Sequence, residues 1–239
     1  MTRQPRLDAL APATPSEVRA VVLVLHGGRQ HDHGRVHRLR LAYLRMVPLA
    51  RALRRAGRRH GLAVWLLRYR YRGWNAPSLD PVADARWALA RARAVYPGRP
   101  VVLVGHSMGG RTALRVADDP AVVAVCALAP WTEADEPVAQ LAGRGVLIAH
   151  GDRERWTDPA LSHRFAARAK EVTARVCRFA VLGDGHAMLR RAADWTRLVT
   201  EFVLGELGLE PESPAIADAM SQPETGGLDV PLGGRPSRG

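Results

Sequence analysis

The hydrophobic positions along this chain alternate between short continuous runs and longer stretches with helical spacing. Apolar runs bounded by glycine or turn residues predict buried strands, and apolar residues three or four positions apart predict helices. Strands are predicted at 20–28, 62–69, 101–105, 122–129, 146–149 and 175–182, and helices at 41–60, 80–96, 108–117, 159–172 and 188–204. Continuous apolar strands that alternate with helices are typical of a parallel sheet covered on both faces.

This pattern defines one domain between two segments of different character. Residues 1–19 are rich in proline and polar residues and are predicted to be a lead-in. Residues 20–204 carry the strand and helix pattern, and their length suits one domain. From 205 to 239 the chain is rich in proline, glycine and acidic residues, so we predict a disordered tail. The predicted fold is an α/β three-layer sandwich with a mostly parallel sheet of about six strands and helices on both faces.

The net charge of +12 comes almost entirely from arginine, since Lys170 is the only lysine. Arginine is dense between 29 and 59, but no aromatic interleaving or nucleic-acid motif accompanies it, so a solvated helix face is favoured over nucleic-acid binding. No apolar run reaches the length of a membrane span, and residues 1–16 lack the apolar segment of a secretory signal. We therefore expect a cytoplasmic protein, with Cys126 and Cys177 as buried, reduced thiols.

The segment GHSMGG, at 105–110, places a serine between a predicted strand and a predicted helix. A sharp strand-to-helix turn strains the serine backbone, and glycines two residues to either side give the room that this turn needs. The turn would expose the hydroxyl of Ser107 and leave the Met108 N–H free to stabilise an oxyanion. The alternative is a serine that only caps the helix.

A nucleophilic serine needs a base, and that base needs an acid. In the chain order serine, acid, histidine, the base should follow the last predicted strand, where VLGDGH presents His186. The acid should follow the preceding strand, where the candidates are Asp152, Glu154 and Asp158. Asp152 lies close to the strand end, and Asp158 precedes Pro159 in the pattern of a helix cap.

The segments HGG at 26–28, GHSMGG, HGDRE and GDGH resemble, in this order, the α/β-hydrolase superfamily and within it small serine esterases, over residues 20–204. The resemblance implies a reduced, lidless α/β-hydrolase fold that cleaves small-molecule carboxylic esters or thioesters without cofactor or metal. In that superfamily the acid commonly stands at HG-x-x-D, which falls on Glu154 here. The resemblance also implies that Gly28, with Arg29 as the next candidate, supplies the second oxyanion amide beside Met108.

Other interpretations of these residues are weaker. The loop RQHDHGRVH offers His31, Asp32, His33 and His37, but His-x-His without a further spaced ligand is a weak zinc pattern. An acyltransferase would use the same serine, histidine and acid, and a cofactor-free haloperoxidase-like side activity also occurs on this scaffold. A non-catalytic binding protein is the rival of another class, although it would have no physical need for all three groups. The sequence pattern sets no oligomeric state.

Overall fold

The predicted strands assemble into one sheet in the computed structural model, which describes residues 3–10 and 17–233. The strands are β1 Arg6–Leu10, β2 Ala20–Leu25, β3 Leu62–Arg68, β4 Val101–His106, β5 Val122–Leu128, β6 Gly145–Gly151, β7 Val176–Val181 and β8 Val230–Leu232. The helices are α1 Leu41–Ala56, α2 Asp80–Val95, α3 Met108–Arg115, α4 Pro159–Lys170, α5 Ala192–Glu206 and α6 Pro214–Ser221. Two short 3-10 helices, Arg58–His60 and Ala139–Leu141, lie in the connections.

The sheet is mostly parallel, which confirms the predicted fold class. Its strand order is β1-β3-β2-β4-β5-β6-β7-β8, and only β1 runs antiparallel to its neighbour. The described residues form eight strands rather than about six, because both flanking segments contribute an edge strand. Parallel neighbours bring their carboxyl ends to one edge, where open α/β sheets hold their sites.

Helices cover both faces of the sheet, and this explains the continuous apolar strands. Along β2, Val21, Leu23 and Leu25 pack on one side with buried residues of α2, α3 and α4. The alternate positions of β2 pack on the other side with buried residues of α1, α5 and α6. Every residue of β2 is buried, so the alternation of apolar and polar residues that marks a half-exposed strand is lost.

The predicted lead-in contains a strand, so this part of the prediction is wrong. β1 pairs antiparallel with β3, with Leu7 opposite Leu67 and Leu10 opposite Val64. The segment RLDAL carries two charges in five residues and half-exposed side chains, as an edge strand does. This composition is similar to that of a polar linker, so the hydrophobic pattern does not predict a strand here. Residues 1–2 and 11–16 of the predicted lead-in lie outside the described residues.

The predicted disordered tail is folded through residue 233. α6 buries Ile216 and Met220 against the sheet, and β8 extends the sheet by pairing in parallel with β7. Leu228 is fully buried, and its carbonyl accepts a hydrogen bond from the buried Arg178 guanidinium at 3.1 Å. A few apolar anchors thus order a segment whose average composition is polar. Residues 234–239 lie outside the described residues.

The connection from β5 to β6 is short, as expected for a site without a lid. Residues 129–144 contain one 3-10 helix, Ala139–Leu141. Cys126 and Cys177 are buried free thiols on β5 and β7, which are separated by β6. Across residues 3–10 and 17–233, no helix is long and apolar enough to cross a membrane.

The buried position of Leu228 gives a direct test of the folded tail. Leu228→Ala should lower the free energy of unfolding by about 2–4 kcal/mol, because it leaves a cavity in the core. Urea denaturation followed by circular dichroism measures the change, with exposed Thr225→Ala as the matched control from the same segment. Equal stability of the two variants would mean that the tail contributes nothing to the folded core.

Candidate active site

Four loops meet at the carboxyl edge of the sheet. His26 to Gly28 follow β2, Ser107 follows β4, Glu154 follows β6 and His186 follows β7. The residues that the sequence places after these four strands therefore share one edge of the molecule. The hydrogen bonds between these loops determine which chemistry the site is able to perform.

Ser107 occupies a strained turn between β4 and α3. Its backbone has φ 56° and ψ −120°, a conformation that L-residues other than glycine rarely adopt. A Cβ on Gly105 would overlap the backbone of Gly109, and a Cβ on Gly109 would overlap the carbonyl of Leu25. Glycine is therefore required on both sides of the serine, in agreement with the elbow predicted from GHSMGG.

A continuous hydrogen-bonded chain joins the serine, the late histidine and one acid. His186 Nε2 lies 3.0 Å from Ser107 Oγ, and His186 Nδ1 lies 2.7 Å from Glu154 Oε2. Because a carboxylate only accepts hydrogen bonds, Nδ1 carries the proton, and Nε2 is left to accept from the serine hydroxyl. The imidazole is thus held in the tautomer that a general base requires.

The Glu154 carboxylate is buried but well supplied with donors. Its other oxygen, Oε1, accepts from the Arg155 and Trp156 amides, each at 2.7 Å. Burial opposes ionisation, but the hydrogen bond from His186 and the Trp156 and Arg155 amides outweigh it and lower the pKa of Glu154 to about 2. Glu154 is therefore ionised throughout the neutral range.

The other two acid candidates are held elsewhere. Asp152 is exposed, and its Oδ1 accepts from the Gly183 amide at 2.7 Å. Asp158 caps α4 by accepting from the Ala160 amide at 2.8 Å, as its position before Pro159 predicts. Of the three candidates, Glu154 is the one in contact with His186.

Two of the three predicted oxyanion amides are free of protein acceptors among the described residues. The N–H groups of Met108, at the start of α3, and of Gly28 have no protein acceptor among the described residues. The Arg29 N–H donates to the Arg72 carbonyl at 2.8 Å, so the structure rules out Arg29 as a donor. Gly28 packs so tightly against the Met108 side chain and the Arg72 carbonyl that a Cβ there would overlap both. The acceptor of the Arg29 amide lies in a loop that is distant in the sequence, so no local sequence pattern predicts this hydrogen bond.

Three buried histidines hold the loops of the site. His26 Nδ1 donates to the Gly27 carbonyl at 2.7 Å, and His106 Nε2 donates to the His186 carbonyl at 2.8 Å. His150 lies 2.8 Å from Ser162 Oγ and 3.1 Å from Thr157 Oγ1, beside the Glu154 loop. Burial lowers the pKa of His26 to about 4, of His106 to about 3 and of His150 to about 4, so all three are neutral at pH 7.

Sequence reasoning missed most of these supports. It did not predict the loop contacts of His106 or His150. It also missed Asp184, which is buried and whose Oδ2 accepts from the Arg191 amide at 3.0 Å and the Trp195 indole at 2.9 Å. Asp184 fastens the GDGH loop to α5, and the position of aspartate inside a two-glycine turn was the available signal.

The weak zinc pattern gains no support from the geometry. Asp32 Oδ1 accepts from the Gly34 amide at 2.7 Å and shapes its own loop. Within residues 3–10 and 17–233, no three His, Cys, Asp or Glu side chains are grouped as metal ligands.

The buried neutral histidines predict a specific pH dependence of stability. Each has a folded-state pKa below its unfolded value of about 6.5, so unfolding takes up protons as the pH falls. Stability should be complete above about pH 6.5 and decrease toward pH 4, by about 1–2 kcal/mol per histidine at pH 5. Urea denaturation at several pH values measures the slope, and His106→Gln should reduce proton uptake by about one. A free energy of unfolding that is constant from pH 7 to pH 5 would contradict the neutral state of these histidines.

Comparisons with known proteins agree on the fold. The propionate-bound esterase 2 of Thermogutta terrifontis is 21% identical, covers 87% of this chain and 92% of its own, and has a TM-score of 0.64. Est1E of Butyrivibrio proteoclasticus with ferulic acid is 14% identical, with coverage of 85% and 96% and a TM-score of 0.63. An α/β serine hydrolase homologue of Coxiella burnetii is 16% identical, with coverage of 83% and 91% and a TM-score of 0.62. At these identities the likeness establishes the fold.

A comparison with curated protein sequences gives no match. The family model described as alpha/beta hydrolase family matches residues 21–234, which includes all four loops of the site and the folded tail. The match therefore extends well beyond the boundary at 204 that the hydrophobic pattern predicts. The chain belongs to the alpha/beta hydrolase family.

Proposed function

We propose that this chain is a serine hydrolase that cleaves carboxylic esters or thioesters through an acyl-enzyme. The observation that carries the proposal is the hydrogen-bonded chain from Ser107 Oγ through the His186 imidazole to Glu154, built on a strained serine turn. A serine that only capped α3 would need neither contact, and Ser107 makes no side-chain cap hydrogen bond to that helix.

The first half of the reaction forms the acyl-enzyme. Ser107 Oγ attacks the carbonyl carbon of the ester while His186 Nε2 takes the hydroxyl proton. The negative charge that develops on the carbonyl oxygen is stabilised by the Gly28 and Met108 amides, each worth about 3 kcal/mol in such a site. The His186 imidazolium then protonates the leaving alcohol or thiol as the bond to the acyl carbon breaks.

The second half of the reaction releases the acid. Water enters beside His186, gives its proton to Nε2 and attacks the acyl carbon, and the proton returns to Ser107 Oγ as the acid leaves. Glu154 keeps its charge throughout and stabilises the imidazolium in both halves. Its two backbone donors on Oε1 fix the carboxylate, so that Oε2 faces His186 despite the extra methylene of glutamate.

The similar solved structures favour this reaction class. They include esterases of Thermogutta terrifontis and Butyrivibrio proteoclasticus, and one structure of the former enzyme is phosphonylated by sarin. Phosphonylation is the reaction of an activated nucleophile with an acyl-like electrophile. We carry the ester substrate class from these proteins to this chain as part of the proposal.

The nucleophile is tested by Ser107→Ala. The wild-type protein should react with a fluorophosphonate probe and hydrolyse p-nitrophenyl acetate, and the variant should lose the labelling and at least about 10³-fold in kcat/KM. Its melting temperature should match that of the wild type, because alanine fits the same turn. Labelling that persists in the variant would place the nucleophile at another residue.

The acid is tested by three isosteric or near-isosteric variants. Glu154→Gln should lower kcat by about 10²–10⁴-fold, because the amide neither favours the required imidazole tautomer nor stabilises the imidazolium. Asp152→Asn and Asp158→Asn are the matched controls, and their ester turnover should stay close to that of the wild type. Loss of turnover in either control, with normal turnover in Glu154→Gln, would refute the role of Glu154.

A further inference from the structure

A cavity of about 540 Å³ opens beside His186 at the carboxyl edge of the sheet. Residues of the Glu154 loop and of the GDGH loop form its walls, and Arg45 of α1 closes one side. Ser107, Gly28 and Met108 are not among its lining residues. A larger cavity of about 660 Å³ lies between α4 and α6, and none of the candidate active-site residues lines it.

Four arginines line the cavity beside His186, and none has a carboxylate partner. They are Arg45, Arg153, Arg155 and Arg190. All 23 acidic side chains of the protein fall within the described residues. No acidic oxygen among them lies within 4.0 Å of these four guanidinium groups, whereas Arg175 contacts both Glu206 and Glu212. Arginines elsewhere, such as Arg91 on α2, also have no carboxylate partner among the described residues, and what distinguishes these four is that they line one cavity beside His186.

Arg45 is the most informative of the four because it is half-buried. Burial lowers its pKa, and no opposing charge offsets this effect. Its positive charge also contributes, after burial and neighbouring His186, to the low pKa of His106. A partly desolvated cation without a counter-ion is costly, and a bound anion would remove that cost.

The acids that border the cavity are already engaged. Glu154 accepts from His186 and from two backbone amides, and Asp184 accepts from Gly185, Arg191 and the Trp195 indole. Neither carboxylate has a guanidinium contact. Four guanidinium groups against two carboxylates leave a net positive charge on the cavity lining.

The position of the cavity indicates which part of a substrate would enter it. In ester cleavage His186 gives its proton to the leaving group, so the leaving group lies next to His186 and the oxyanion lies next to Gly28 and Met108. The cavity borders His186 and Glu154 but none of the oxyanion donors. A leaving group that extends past His186 therefore reaches the arginines.

The cavity also presents apolar surface beside the charges. The Trp156 indole stacks on the His186 ring at 5.4 Å between centroids and an interplanar angle of 17°, and it is 84% exposed. Leu189 is 71% exposed on the opposite loop. A flat or apolar portion of a leaving group can cover this surface while its charged end meets the arginines.

We propose that the leaving alcohol or thiol of the natural substrate carries an anionic group, a phosphate or a carboxylate, which the arginines of this cavity bind. The inference rests on the proposed ester or thioester hydrolysis and specifies its substrate. Among the lining residues, Arg155 and Arg190 are exposed and Arg45 is half-buried.

The experiment compares esters that differ in the charge of the leaving group. The acetate ester of 4-hydroxybenzoate and the same acetate of methyl 4-hydroxybenzoate share acyl group and ring, and the second lacks the charge. Acetyl esters of 4-hydroxyphenyl phosphate provide the phosphate arm, and phenyl hydrogen succinate places a carboxylate on the acyl side instead. The wild type should prefer the charged leaving groups by at least about tenfold in kcat/KM, and added salt should reduce this preference.

The double variant Arg155→Gln/Arg190→Gln tests the residues themselves. It should reduce the ratio of kcat/KM for the charged over the neutral ester by about fivefold or more. Arg91→Gln is the matched control, since Arg91 is exposed on α2 without a carboxylate partner among the described residues and lies outside the cavity. A kcat/KM ratio of charged to neutral ester near one in the wild type, or a ratio unchanged in the double variant, would overturn the inference. An equally strong preference of the wild type for phenyl hydrogen succinate, whose charge lies on the acyl side, would also overturn it.

The outcomes separate this inference from the proposed function. If the neutral ester is hydrolysed and charge makes no difference, the inference fails and the serine hydrolase stands. If no ester is hydrolysed, calorimetric titration with 4-hydroxybenzoate and 4-hydroxyphenyl phosphate still decides the matter, because only an arginine-dependent complex supports the anion site. Arginine-dependent binding to phosphatidylglycerol vesicles, with no preference among the soluble esters, would assign the arginines to a lipid surface and refute the inference.

Discussion

The close approach of Gly105 and Gly109 holds Ser107 in a conformation that its own backbone does not favour. β4 ends and α3 begins with no residue between them other than the serine, so the hydroxyl emerges at the point where strand and helix meet. The same turn frees the Met108 amide and places α3 close to the end of β2. The positions of the Ser107 hydroxyl and of the Met108 amide both depend on this contact, and the loop that carries His186 meets the serine there.

Three neutral histidine side chains form hydrogen bonds that help to hold those loops. His26, His106 and His150 fasten three of them as uncharged donors, and burial keeps all three deprotonated at pH 7. In the proposed reaction, a protonated histidine in their place would repel the His186 imidazolium that Glu154 stabilises. Asp184 is a charged support, and it fastens the GDGH loop to α5. In the proposed reaction Glu154 stabilises the imidazolium, and in the proposed substrate site the arginines bind the leaving group.

The sequence predicted the central sheet, and it offered the candidate site residues, because both follow from short-range patterns. Fully buried strands appear as apolar runs, and GHSMGG and GDGH contain the serine, the histidine and the glycines that their turns need. β1 and β8 escaped detection because edge strands are short and partly polar, and pairing with β3 and β7 orders them. Tertiary structure creates the hydrogen bond from the Arg29 amide to the Arg72 carbonyl and the contact of His106 with the His186 carbonyl. No local sequence pattern predicts either one.

A crystal structure of the protein after reaction with a phosphonate ester would show whether Ser107 is the nucleophile. We expect a covalent bond from phosphorus to Ser107 Oγ, with the phosphoryl oxygen within hydrogen-bond distance of the Gly28 and Met108 amides. We also expect that His186 stays between the adduct and Glu154. A phosphonate on another residue would contradict the role of Ser107 as the nucleophile. A phosphoryl oxygen turned away from both amides would contradict the role of Gly28 and Met108 as oxyanion donors.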